Sequence, residues 1–217
     1  MVISASDAAK KITDDYEVIV IDDGSSDASR EILRHLQAED PRHFKPVFHE
    51  KNRGYGGALR SGFASATKDW VFYTDGDAQY DPREMQRLAP LARDGVDVVQ
   101  GFKIKRNDPL HRILIGRIYH WSMKIMFGLK IRDVDCDFRL IRRSVFDRVR
   151  LTQDSGVICL EMVKKMQHAG CQFKEVGVNH YHRQYGKSQF FNFRRIFAVG
   201  CGVLRLWWQL VIQGKYD

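Results

Sequence analysis

Asp75 and Asp77 are separated by one glycine and follow directly on the apolar run at residues 70–73. Two carboxylates at the end of a strand lie where the backbone leaves a sheet, so their oxygens can converge on one hard cation that also holds a diphosphate. That is the chemistry of a nucleotide-sugar site. An acidic turn after a strand has the same composition, so the triplet decides nothing alone.

Four other stretches carry chemistry-bearing residues. Asp22 and Asp23 stand at the mouth of the apolar run 16–21 and are followed by Gly24, Ser25, Ser26 and Asp27. A serine or Asp27 can cap the next helix, but capping does not account for the adjacent acids. Asn52-Arg53-Gly54-Tyr55-Gly56-Gly57 precedes a helical stretch, where glycines permit close backbone approach and a helix N-terminus favours an anion. The spacing is neither a P-loop nor G-x-G-x-x-G, and a tight turn fits it as well. Arg53 is within reach of a base or a diphosphate. Asp133, Asp135 and Asp137 alternate ahead of Arg139, a pattern suited to handling a phosphate and a proton. Arg183, Lys187 and Ser188 surround Gly186 in a basic loop suited to an anion. His180 and His182 stand just before it without a third ligand for a metal.

Elements at regular intervals must position these residues. Apolar runs at 16–21, 44–49, 70–74, 96–102 and 172–179 predict strands, and helical patterns fill the gaps between them. Such alternation with short loops predicts an α/β fold, a mainly parallel doubly wound sheet flanked by helices, with the acidic and glycine-rich loops at one edge. Residues 109–127 repeat apolar side chains at helical spacing around a basic set that includes Arg117. The tail at 190–217 is aromatic and basic, and suits either a helix in a membrane interface or one closing the core.

The composition narrows the function classes. The 217 residues, 44% hydrophobic and 12% aromatic, predict one globular unit rather than a disordered chain. A net charge of +8, weighted to the second half, attracts phosphates. No nucleic-acid recognition motif accompanies that charge, so nucleic acid is not an expected partner. Cys136, Cys159, Cys171 and Cys201 form no C-x-x-C pair and are expected as reduced thiols in a cytoplasmic protein. The opening residues lack the apolar core of a signal peptide. The apolar stretch 196–212 is interrupted by Arg205 and Gln209.

Taken in order, the motifs at 22–27, 52–58, 75–79, 133–139 and 183–188 resemble family 2 glycosyltransferases of the GT-A fold, in the dolichyl-phosphate mannose synthase and polyprenyl-phosphate glycosyltransferase branch. The resemblance covers nearly the whole chain. It implies a catalytic domain at 1–189, followed by a C-terminal segment at 190–217 that lies at the membrane interface. It implies that Asp22, Asp23 and Arg53 hold the nucleotide, that Asp75 and Asp77 bind the donor diphosphate, and that Asp75, Asp77 and Gln79 hold Mg²⁺ or Mn²⁺. Asp133, Asp137 and Arg139 fall on the acceptor loop as catalytic residues. Arg117, Arg139, Arg183, Lys187 and Ser188 fall on the acceptor phosphate. The implied reaction is inverting transfer of a hexose from a nucleotide-diphosphate sugar, of the GDP-mannose or UDP-glucose type, to a polyprenyl phosphate at the cytoplasmic face of a membrane. Transfer to a polysaccharide or small acceptor, and a non-catalytic nucleotide-sugar binding domain, are the alternatives.

Two positions depart from the family pattern. The family opens with a strand ending in a Pro-x-Tyr-Asn-Glu type motif, and nothing before Tyr16 matches it, so the amino end is expected to be short. Asp137 stands where the family usually has glycine.

Overall fold

A computed structural model describes residues 1–104, 110–182 and 193–216, with side chains except at 110–115 and 193–195. Arg183, Lys187 and Ser188 lie outside the described residues. Helix α1 (Val2–Lys10) leads to β1 (Val18–Asp22), α2 (Ser29–Glu39) and β2 (Phe44–Phe48), and β1 and β2 run parallel from Val18↔Phe44 to Asp22↔Phe48. Helix α3 (Gly54–Ser65), β3 (Trp70–Thr74), the short α4 (Met85–Leu88) and β4 (Val98–Lys103) follow. The remainder comprises α5 (Leu110–Phe127), β5 (Phe138–Arg142), α6 (Ile158–His168), β6 (Phe173–Val178) and α7 (Phe193–Trp207), which continues as a π turn, Trp208–Ile212.

Strands β3, β5, β4 and β6 form one sheet in that order, and β1 with β2 forms another. β5 pairs antiparallel with both β3 and β4, whereas β6 is parallel to β4. β3, β4 and β6 therefore share one direction, the mainly parallel arrangement that the βα alternation predicts. β5 is the strand the pattern of alternation does not announce. It occupies the middle of the sheet because Phe138, Arg139, Leu140 and Ile141 are all buried, as a strand covered on both faces requires.

The four-stranded sheet is packed on both sides. Val98 and Ile141 turn toward Phe63 of α3 and Met162 and Met166 of α6. Their neighbours Val99 and Leu140 turn the other way, toward Leu88 of α4 and Tyr80. This is the period-two alternation of a strand. A third cluster joins α5, α6 and α7 through Met123, Phe127, Leu160, Val203, Leu206 and Leu210. Val203, Leu206 and Leu210 recur at helical spacing, and each such buried side chain contributes about 1.5–3 kcal/mol. The Trp207 indole also donates to the Met126 carbonyl at 2.9 Å. The C-terminal helix thus closes the core with one face while Phe197, Leu204 and Trp208 stay exposed on another.

Candidate active site

The loop after β1 is organised by its own carboxylates. Asp22 is 4% exposed and its Oδ1 accepts from Arg30 Nε at 2.7 Å and from the Ser25 amide at 3.2 Å. Burial opposes its charge, but the Ser25 and Arg30 hydrogen bonds outweigh burial and hold the carboxyl below its ordinary range. Asp23 pairs with His49 Nδ1 at 2.7 Å and accepts from the Arg53 amide at 2.8 Å. Its carboxyl is likewise lowered, with the His49 and Arg53 bonds outweighing burial. The exposed Arg53 side chain is therefore anchored at its backbone to Asp23. His49, buried and also bonded to Ser61 Oγ at 2.8 Å, is a residue that the sequence pattern does not mark.

The glycine-rich stretch forms the first turn of α3, and its close neighbour is the chain itself. A β-carbon on Gly56 would stand 2.1 Å from the Gln153 carbonyl oxygen, and one on Gly54 would stand 2.6 Å from that of Asp154. The Gly56 amide donates to the Asp154 carbonyl at 2.8 Å. Arg60 adds hydrogen bonds to the carbonyls of Thr152 and Gln153. Glu161, fully buried, fixes that partner loop by accepting from the Thr152 hydroxyl at 2.7 Å and the Gln153 amide at 2.9 Å. Of the two expectations for this stretch, phosphate cradle or tight turn, the geometry at Gly54 and Gly56 is that of intramolecular packing.

Asp75 and Asp77 follow β3 on a turn in which Ala78 adopts φ 60°. A left-handed alanine costs about 1 kcal/mol, and Asp77 helps hold it by accepting from the Gln79 amide at 3.0 Å. Gln79 is tied to the end of β6: its carbonyl accepts from the Tyr181 amide at 2.9 Å, and its side-chain nitrogen lies 3.3 Å from His180 Nε2. Asp75 Oδ1 accepts from the Tyr55 hydroxyl at 2.9 Å. Burial and the charge of Asp137 push the Tyr55 phenol upward, so it stays a donor. Asp137, on the loop at 133–137, senses the charge at Asp75. Burial first, then the charge of Asp75, pushes its carboxyl up to about 8, against a hydrogen bond from Cys159 Sγ at 3.2 Å.

These donors fit a divalent cation. Asp75 and Asp77 present hard carboxylate oxygens and Gln79, two residues on, carries an amide oxygen, and the negative field that helps push the Asp137 carboxyl upward is one that a cation would relieve. Among the described residues no three His, Cys, Asp or Glu side chains enclose a metal position. Asp75, Asp77 and Gln79 therefore suit a site whose remaining positions belong to water or a diphosphate.

The loop at 133–139 departs from expectation at Arg139. That side chain is fully buried, with hydrogen bonds to Gln100 Oε1, the Tyr73 hydroxyl and the Val134 carbonyl, and Asp137 at 3.6 Å. Its donors are turned inward, so it braces the loop and does not reach a phosphate. Asp133 and Arg117 do come together. They line a cleft of about 170 Å³ with Phe102, Lys103, His120 and Arg132. Asp133 is 5% exposed, accepts from the Lys103 amide at 3.3 Å and lies 3.6 Å from Lys103 Nζ. Lys103 and Arg132 are cations, and His120 an imidazole, that motif reading passes over. The position of Lys103 at the end of β4 was the available signal, since strand ends face the ligand edge in such sheets.

Comparison with known proteins agrees with this geometry. Residues 4–150 match the model of glycosyl transferase family 2. Two similar proteins are the undecaprenyl-phosphate 4-deoxy-4-formamido-L-arabinose transferases of Yersinia enterocolitica and Aeromonas hydrophila. The first is 29% identical over 85% of this chain and 56% of its own length. The second is 30% identical over 84% of this chain and 55% of its own length. The chain thus spans about half the length of these curated relatives. Among solved structures, glucosyl-3-phosphoglycerate synthase of Mycobacterium tuberculosis with phosphoglyceric acid has a TM-score of 0.68 at 18% identity, covering 96% of this chain and 74% of that one. The same enzyme with Mn²⁺, uridine diphosphate and glucosyl-3-phosphoglycerate gives 0.67 at 17% identity, with coverage again 96% and 74%. These structures share the fold described above. The chain belongs to glycosyl transferase family 2.

Proposed function

We propose that this chain transfers a hexose, with inversion, from a nucleotide-diphosphate sugar to a polyprenyl phosphate. The observation that carries this reading is the path of residues 133–137, which begins in the cationic cleft at Asp133 and ends with Asp137 at the carboxyl end of β3, 3.5 Å from the Tyr73 hydroxyl and near enough to Asp75 to sense its charge. One short loop thereby joins an anion-holding cleft to a diphosphate-binding carboxylate pair. The similar Yersinia and Aeromonas proteins are named for transfer to undecaprenyl phosphate, and the related mycobacterial fold was solved with Mn²⁺ and a uridine nucleotide. These support a nucleotide-sugar donor and a divalent cation, and the donor is of the UDP-glucose or GDP-mannose type with Mg²⁺ or Mn²⁺ on the motif alone.

Asp75, Asp77 and Gln79 would hold the metal, which supplies charge neutralisation for the departing diphosphate. Asp22, Asp23 and Arg53 frame the nucleotide end. Lys103, Arg117, His120 and Arg132 hold the acceptor phosphate, which is ionised near neutral pH and so needs no strong base. Asp133 and Asp137 orient it. A phosphate oxygen then bonds to the anomeric carbon as the bond from that carbon to the diphosphate oxygen breaks. Arg183, Lys187 and Ser188 remain assigned to the acceptor phosphate on motif alone.

The lipid acceptor brings the chain to a membrane surface. Ile118, Trp121 and Ile125 of α5 are exposed, as are Phe197 and Leu204 of α7 and Trp208 of the π turn that continues it, with Lys124 and Arg205 among them. Apolar and aromatic groups mixed with cations suit the interface of an anionic bilayer. No described helix is long and apolar enough to cross a membrane. The test is a screen of radiolabelled nucleotide sugars against polyprenyl phosphate, with and without Mn²⁺, reading label in the organic phase. Asp75→Ala and Asp77→Ala should abolish metal-dependent transfer, and unchanged turnover in either removes the assignment. Equal transfer to a soluble phosphorylated acceptor would reassign the cleft to that substrate. Nucleotide-sugar binding without transfer or donor hydrolysis would favour a non-catalytic domain.

A further inference from the structure

We propose that Tyr55 is the positioning residue of the metal site, its hydroxyl fixing the Asp75 carboxylate for cation binding from a pedestal formed by the glycine-rich turn. The inference rests on the reading of Asp75 and Asp77 as metal ligands. Tyr55 sits between Gly54 and Gly56, in the first turn of α3. That turn is seated against the 153–154 backbone through Gly54 and Gly56, and is held by the Arg53 amide bond to Asp23 and by Arg60 on Thr152. A side chain leaving so constrained a turn has its position fixed. The hydroxyl then meets Asp75 Oδ1 at 2.9 Å.

Asp75 needs such a fix because it lies beside a second acid. Asp137, half-buried on the 133–137 loop, senses the Asp75 charge, and a fixed donor on Asp75 Oδ1 holds that carboxylate in place beside it. One proton from Tyr55 occupies one of about four lone-pair positions on the carboxylate, leaving the others for a cation. The glycines and the tyrosine thereby act as one device. Gly54 and Gly56 let the turn sit deep, and Tyr55 carries that depth to Asp75.

Mn²⁺ titration followed by electron paramagnetic resonance, with purified protein and no sugar donor, separates the claims. Wild-type protein should take up Mn²⁺, and failure to do so removes the metal reading together with this inference. Given wild-type binding, Tyr55→Phe should weaken Mn²⁺ affinity about tenfold to a hundredfold, the effect of one lost hydrogen bond to a charged group. Excess Mn²⁺ should recover most of the lost turnover, whereas mere structural damage would lower turnover at every metal concentration. Tyr73→Phe, which removes a neighbouring buried hydroxyl that bonds Arg139, should leave Mn²⁺ affinity as in wild type. Wild-type affinity in Tyr55→Phe, or equal loss in both variants, would overturn the proposal.

Discussion

The carbonyl oxygen of Gln153 stands 2.1 Å from where a β-carbon on Gly56 would lie. No side chain fits that gap unless backbone moves, because the obstructing atom belongs to a loop fixed by buried Glu161. Gly56→Ala should destabilise the fold by about 1–3 kcal/mol, the range for overpacking, read as a lower urea midpoint at unchanged slope. A phosphate-cradle role would give a different result, with weaker donor binding and intact stability.

Arg30 and Asp22 form a pair whose acid is buried and whose base is partly exposed. Arg30→Ala leaves the carboxylate without its guanidinium and should cost about 2–3 kcal/mol at neutral pH. The Asp22 carboxyl is held below its ordinary range, so its stabilisation is present above that range and is lost as pH falls through the folded value. The cost of Arg30→Ala should therefore shrink in acid. Denaturation midpoints of both proteins from neutral to acidic pH check this.

Asp137 has the opposite sign. Its carboxyl is pushed up to about 8, so between the ordinary carboxylate range and that value the folded chain binds a proton that the unfolded chain releases. Wild-type stability without metal should fall as pH rises through this window. Asp137→Asn should remove that component and be the more stable protein by about 1–3 kcal/mol above pH ~8. Urea midpoints in the presence of a chelator give the difference curve. Added Mn²⁺ should narrow the gap, since a cation at Asp75 offsets the opposing charge.

Cations of the cleft should divide from the nucleotide end in kinetics. Lys103→Ala and Arg132→Ala should each raise KM for the acceptor phosphate about tenfold, with the donor KM little changed. Arg139→Ala should instead lower stability, because it empties a fully buried position and leaves Gln100 and Tyr73 without their partner. Steady-state kinetics at varied donor and acceptor, with melting temperatures alongside, distinguish the two patterns.

Local signals made β1, β2 and β3 and the loops after them readable. β1 and β3 are largely apolar runs that stop at an acid or a turn, β2 carries Lys45 and Pro46 between its apolar residues, and the acids at 22–23 and 75–77 stand where β1 and β3 end. What escaped depends on partners far along the chain. Residues 138–142 resemble a loop because an alternation of acids leads into them, and only pairing with β3 and β4 makes them a central strand. Arg139 looks like a phosphate ligand until Gln100 and Tyr73 arrive on adjacent strands and take its donors. The glycines at 54 and 56 announce a close approach without saying to what, and the answer lies at 153–154. Lys103 and Arg132 carry no motif at all, and meet in the cleft through packing.

The position of β5 between β3 and β4 also bears on the order in which the chain can assemble. β1 and β2 are neighbours joined by α2 and can pair soon after synthesis, whereas among the described residues Trp70–Thr74 pairs with Phe138–Arg142, which leaves the ribosome much later. The turn bearing Asp75 and Asp77 must wait with it. A nascent chain halted before residue 138 would hold an apolar β3 without that partner strand, a species that invites chaperone capture. Catalytic competence would therefore be acquired late and all at once, when one reversed strand locks into place.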